Sequence, residues 1–207
     1  RQGGRGIGEF DFLFRDRERQ ATIHWETAVK FFLRHRDPSG RYRWLGPNPR
    51  DTLDRKVDKV FGHQLRMGER PESVPVLKRL GAERPRPEAF VKGYLFYPAD
   101  SRWREPEPVP EVAALDHLRG WWTRAGSRQI PQCSGDSRWM VLERLRWLSR
   151  AQAPAEALVE RRRLDAELDE HFAASARPVL VAELGPAPGG YREISRGFVV
   201  PDDWPGP

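Results

Sequence analysis

The chain of 207 residues carries 36 Lys and Arg against 30 Asp and Glu, a formal net charge of +6, with 38% hydrophobic and 11% aromatic residues. That apolar content supports a globular protein with a substantial core and excludes a disordered tail. The single cysteine, Cys133, excludes an internal disulfide and a cysteine-rich zinc site. No apolar run approaches the ~20 residues that cross a bilayer, so no membrane partner is expected, and the expected location is the reducing cytoplasm. The basic balance favours a polyanionic partner such as nucleic acid. Thirty-one of the 36 basic residues are Arg and only five are Lys, so a lysine at a site stands out. The sequence opens at Arg1 without Met and reaches a strand pattern almost at once, and an upstream segment is therefore expected.

Residues 1–7 read as a Gly- and Arg-rich loop. In GEFDFLFRD, Phe10, Phe12 and Phe14 alternate with Glu9, Asp11, Leu13 and Arg15. This is the period of a half-buried strand, with the phenylalanines assigned to the core and the carboxylates to the other face. A charged turn over 16–20 leads into ATIHWETAVKFFL, where Ile23, Trp25, Thr27, Val29 and Phe31 alternate with His24, Glu26, Ala28, Lys30 and Phe32. The two segments are expected to pair as an antiparallel hairpin. The basic loop over 34–49 carries Tyr42 and Trp44, and reads either as a surface connection or as a loop whose aromatics stack on nucleic acid.

Between 50 and 65 the pattern turns helical, with Leu53, Val57, Val60, Phe61 and Leu65 in one stripe and Lys56, Lys59 and His63 along a flank. Gln64 projects onto the middle of the stripe, where a buried amide needs partners from backbone or from the polar face of the strand pair. A short helix over 72–81 and an apolar strand over 90–97 follow, the latter suited to burial on both faces. Residues 99–110 read as a connector and 110–124 as an amphipathic helix carrying Val112, Leu115, Leu118 and Trp122, with Trp121 and Trp122 assigned to the core. A strand is expected near 139–142, with the following LERLRWLSR as its continuation or a helical turn. The helix over 154–175 places Leu158, Leu164, Leu168 and Phe172 on one side. Arg161, Arg162 and Arg163 fall on its solvated face, paired with Asp165 and Glu167. Segments 178–184 and 191–200 close the chain as a hairpin before an extended tail. The order strand, strand, helix, strand predicts an α/β fold, a mixed sheet flanked by helices. Residues 1–100 form its core, and 101–207 a helix-and-hairpin extension packed on that core as one compact unit.

Acid, acid and lysine on neighbouring strands is the minimum equipment for holding a divalent metal and cutting a phosphodiester, a reaction that needs an activated water, charge relief and help for the leaving oxygen. Glu26 and Lys30, four apart on one strand, share a face; Asp11 completes the ligands from the neighbouring strand, with Glu9 as an additional ligand or a group behind it. The competing interpretation is a solvated hairpin face carrying cross-strand ion pairs.

GEFDFLFRD followed by HWETAVK resembles the PD-(D/E)XK nuclease superfamily, in which an Asp on a GE-x-D strand precedes Glu-x-Lys one hairpin later. More narrowly, those segments with WLGPNPRDTLDRKV, HQL and SRGFVVPDDWP look like a bacterial domain-of-unknown-function family, family eighteen-fifty-three, over nearly the whole chain. The resemblance implies a restriction-endonuclease-like sheet and Mg²⁺-dependent hydrolysis of nucleic acid, with DNA the expected substrate and Mn²⁺ an alternative ion. By position, the metal-binding aspartate falls on Asp11 and the glutamate on Glu26. The lysine falls on Ala28, leaving Lys30, about 6–7 Å further along the strand, or Lys56 on the following helix to take its role. Gln64 matches a helix glutamine that several such nucleases turn toward the site. The alternative function is a descendant of this fold that binds nucleic acid or a protein partner without cleaving.

Overall fold

The computed structural model describes residues 8–100, 103–104 and 109–206. The loop expected over 1–7 lies outside the described residues, as does part of the connector expected over 99–110. Along the chain run β1 (Phe12–Asp16), β2 (Ala21–Arg36), β3 (Tyr42–Leu45), α1 (Leu53–Lys59), a π-helical turn (Val60–Gln64), α2 (Val74–Arg79), β4 (Arg86–Pro98), β5 (Leu118–Arg124), β6 (Arg138–Val141), β7 (Gln152–Ala153), α3 (Arg161–Ala174), β8 (Val179–Ala187) and β9 (Gly190–Val200). The described strands form one sheet of nine in the order β1-β2-β4-β5-β9-β8-β6, with β3 on β2 and β7 on β9. β5 lies parallel to both β4 and β9, whereas β1–β2 and β8–β9 are antiparallel, so the mixed α/β sheet expected from the sequence is present. The residues group into two compact units, Arg1–Lys30 with Leu53–Lys92, and Phe31–Thr52 with Gly93–Pro207.

In the first unit the β1–β2 hairpin turns on Asp16, whose Oδ1 accepts the backbone N–H groups of Glu18 and Arg19, a side chain standing in for the missing turn carbonyl. Its register pairs Leu13 with His24, Phe14 with Ile23 and Phe12 with Trp25. The expected facing of the hairpin is overturned. Phe12 and Phe14 are 57% and 37% exposed, while Glu26 is 2% and His24 0% exposed. Alternation separates two faces but does not say which one a later element covers. Here the segment after α1 lays Gln64 over Glu26, and the aromatics on the opposite face shield one another: Trp25 stacks on Phe90 with ring centroids 5.1 Å apart and meets Phe14 edge-on at 4.9 Å. For the same reason the expected double burial of 90–97 holds only for its second half, since Phe90 and Val91 are exposed and Leu95 to Tyr97 are buried.

The second unit has apolar clusters on two sides of its strands. Leu33, Phe96, Leu180, Phe198, Val200 and Trp204 belong to one, and Trp121, Trp139, Val181 and Val199 to the other, against Leu164 and Leu168 of α3. The amphipathic helix expected over 110–124 is instead a turn-rich segment followed by β5. Gly120, Trp121, Trp122 and Thr123 are all buried there, the near-continuous burial of a strand with parallel neighbours on both sides. Trp121 and Trp122 do enter the core. A glycine is required opposite Trp121: it pairs with Gly197, and a Cβ at Gly197 would sit inside the indole ring. The expected helix over 154–175 starts only at Arg161, because Pro154 is extended and Ala155–Ala157 forms a 3₁₀ turn. β6 and the closing hairpin fall where periodicity places them, whereas the loop expected over 34–49 contains the end of β2 and the whole of β3, which pair antiparallel, and β7 was not expected.

Candidate functional site

β2 presents His24, Glu26 and Lys30 at even spacing, which puts their side chains on one face. Asp11, one residue before β1, is fastened beside them: its Oδ2 accepts the Thr27 backbone N–H at 2.8 Å and the Thr27 hydroxyl at 3.0 Å. The helix supplies the opposite wall. Helix α1 does not continue as an α-helix. It widens into a π-turn in which Leu65 N–H reaches back to the Val60 carbonyl at 2.9 Å. Such insertions rotate the residues that follow and are frequent at functional sites. Gln64 closes this turn and donates its amide to Oε1 of Glu26.

Four buried polar atoms gathered here have no hydrogen-bond partner among the described residues: Oε2 of Glu26, Oε1 of Gln64, and both ring nitrogens of His24. Nε2 of His24 lies 3.9 Å from Oε2 of Glu26, and the Phe10 ring packs edge-on against the imidazole at 4.8 Å. Native folds rarely leave buried polar atoms unpaired, and a cluster of them points to a ligand.

The charges agree with the geometry. Burial and, after it, the Asp11 carboxylate raise the pKa of Glu26, while Lys56, Lys59 and the Gln64 hydrogen bond pull it back. Lys56 is held below the ordinary lysine range by burial and then by Lys30, with Lys59 adding to the effect and Glu26 and Asp11 opposing it. Burial also lowers the pKa of His24, against the pull of Asp11. Lys30, Lys56 and Lys59 are three of the five lysines in the chain, gathered around two carboxylates where arginine would otherwise be the default cation. Asp11, Glu26, Lys56 and Gln64 therefore come together as expected. Lys30 acts on Lys56 but is not among the charges that shift Glu26, and Glu9 is among neither set. Glu9 is exposed.

A hard divalent cation such as Mg²⁺ takes oxygen ligands and commonly uses only one or two protein carboxylates, with water and substrate phosphate completing its shell. Among the described residues no group of three His, Cys, Asp or Glu stands close enough to enclose an ion. The donor set that is present fits a cation with few protein ligands: the unpartnered carboxylate oxygen of Glu26, the unpartnered amide oxygen of Gln64 and the neighbouring carboxylate of Asp11. Sequence periodicity passed over His24, although its position two residues before Glu26 on the same strand face was the available signal.

Fold and site together define a mixed α/β protein in which a buried glutamate, braced by a helix glutamine, faces lysines and a second carboxylate. The family model described as "Domain of unknown function (DUF1853)" matches residues 1–200, and the chain belongs to that family. No curated protein and no solved structure matches it. No helix among the described residues is long and apolar enough to cross a membrane.

Proposed function

We propose that this chain is a divalent-metal-dependent nuclease of the PD-(D/E)XK type on a restriction-endonuclease-like fold, acting on DNA. The observation that carries the reading is the Glu26 carboxylate: buried, bonded through one oxygen to Gln64, unpartnered among the described residues through the other, and within electrostatic reach of Asp11 and Lys56. Asp11 and Glu26 would hold Mg²⁺ or Mn²⁺, with the amide oxygen of Gln64 beside them. When bound, the ion supplies Lewis-acid relief of phosphate charge and lowers the pKa of a water.

The chain's own groups do the rest. Asp11, tied to Thr27, keeps its carboxylate against β2. Gln64 fixes the rotamer of Glu26 by donating to Oε1, which turns Oε2 toward the unpaired atoms of the site. Lys56 supplies the cation that the superfamily pattern places at Ala28. It comes from the helix, its proton is loosened by burial and by Lys30, and it is suited to stabilise charge on a phosphate oxygen or to give a proton to the leaving oxygen. The net positive charge draws a polyanion toward the chain.

The test is cleavage of single- and double-stranded DNA by the full chain with Mg²⁺ or Mn²⁺. Cleavage that disappears in Asp11→Ala and in chelator is the expected result. A second reading, a nuclease-fold protein that binds nucleic acid without cutting it, is favoured by one feature, the absence among the described residues of a three-ligand metal group. It predicts salt-sensitive DNA binding, unchanged by Asp11→Ala, with no cleavage under any ion.

A further inference from the structure

We infer that His24 is a ligand of the metal held by Glu26, and that the site is thereby built for a first-row transition ion such as Mn²⁺ in preference to Mg²⁺. The inference rests on the metal-site reading above and adds a residue that nothing in the nuclease pattern assigns.

The argument starts from the pair of atoms facing each other in the site. Nε2 of His24 and Oε2 of Glu26 are 3.9 Å apart, too far for a hydrogen bond, and neither has another partner among the described residues. With metal–ligand bonds of about 2.1 Å, two ligands of one ion stand roughly 3.0 Å apart at right angles and about 4.2 Å apart across it. The observed separation lies inside that range, so the spacing of the two atoms is compatible with their sharing one ion. The two side chains are 0% and 2% exposed, adjacent on the same face of β2, and the imidazole is steadied by the edge of Phe10.

Donor chemistry then decides the ion. Mg²⁺ prefers an all-oxygen shell and holds its waters firmly. An imidazole nitrogen adds affinity along the series that rises from Mn²⁺ through the later first-row metals. A site of one nitrogen and two oxygens, from His24, Glu26 and Gln64, discriminates against Mg²⁺ through that nitrogen alone. Substitution of His24 should therefore change which ion is bound more than whether one is bound.

Mn²⁺ is the probe. Electron paramagnetic resonance of the full wild-type chain titrated with Mn²⁺ gives the affinity, and competition with Mg²⁺ gives the preference. Electron spin-echo modulation of the bound ion reads directly whether a histidine nitrogen is attached. The expected result is Mn²⁺ bound with imidazole-nitrogen modulation. In His24→Gln that modulation is lost and the Mn²⁺ over Mg²⁺ preference falls about ten-fold or more, the scale seen when groups supporting a metal ligand are removed. Circular dichroism establishes that the variant is folded, and the wild-type spectrum stands as a test even if it is not. Mn²⁺ bound by the wild type without nitrogen modulation overturns the role of His24 and leaves the oxygen-only metal site standing. No Mn²⁺ binding at all overturns both.

Discussion

Gln64 donates its side-chain amide to Oε1 of Glu26 while Oε2 of the same carboxylate has no partner among the described residues. One hydrogen bond thus sets the carboxylate's rotamer and leaves its second oxygen for a ligand. Gln64→Leu is expected to leave Glu26 buried and unbraced. Removing one partner of a buried bond destabilises a fold by about 1–3 kcal/mol, and divalent-ion affinity should fall about ten-fold in the same variant. Urea unfolding and metal titration read the two effects. A variant with wild-type stability and affinity would show that the contact positions nothing.

The two buried titratable groups of β2 should give the metal-free protein opposite pH dependences. Glu26 has its pKa raised by burial and by Asp11, so its contribution is fully present below its unfolded pKa and is lost as pH rises through the raised value. His24 has its pKa lowered by burial. Its contribution is present above the ordinary histidine value of about 6.5 and is lost as pH falls through the lower folded value. In chelator, Glu26→Gln should therefore flatten the decline in stability on the alkaline side of the carboxylate range, and His24→Gln should flatten the decline on acidification. Thermal unfolding between pH 4 and 8 measures both, and identical profiles for all three proteins would contradict the assignment.

The hairpin and the bodies of the helix after it and of α3 were legible from their periodic apolar spacing, and β8 from its continuous apolar run, while the switch to a π-turn at Val60 and the late start of α3 at Arg161 were not. Which face of the hairpin is inside was not legible, since Phe12 and Phe14 look more buriable than His24 and Glu26 until the π-turn with Gln64 is placed. The segment over 110–124 misled for a different reason: of the four residues in its apparent helical stripe only Trp122 is buried, while Val112, Leu115 and Leu118 are exposed, so a run of spacing this short did not mark a covered face. The candidate site was readable in Asp11, Glu26, Lys56 and Gln64. The choice between Lys30 and Lys56 depended on where the helix lies, which no local pattern carries.

Lys56 should matter more than Lys30. Lys56 is among the charges that shift Glu26, and Lys30 acts on Lys56. Removing one preorganised charge from a reacting centre lowers turnover about 10²–10³-fold, so Lys56→Met is expected to show a loss of that size in DNA cleavage and Lys30→Met a smaller one. Single-turnover cleavage at saturating ion decides the order, and a greater loss in Lys30→Met would return the role to the strand lysine.

The Trp121–Gly197 pair is a packing constraint far along the chain from these residues. Gly197→Ala forces the indole of Trp121 out of its place in the core. Overpacking of this kind destabilises by about 1–3 kcal/mol, expected as a lower urea midpoint with an unchanged slope. A wild-type midpoint would mean that Trp121 relaxes at no cost.

The metal site at Glu26 is tested most directly by calorimetric titration of Mn²⁺ into the full wild-type chain and into Glu26→Gln, each shown to be folded by circular dichroism. The expected result is a single-site isotherm in the wild type that is absent from the variant. The same isotherm in both proteins, or no binding heat in either, would contradict it.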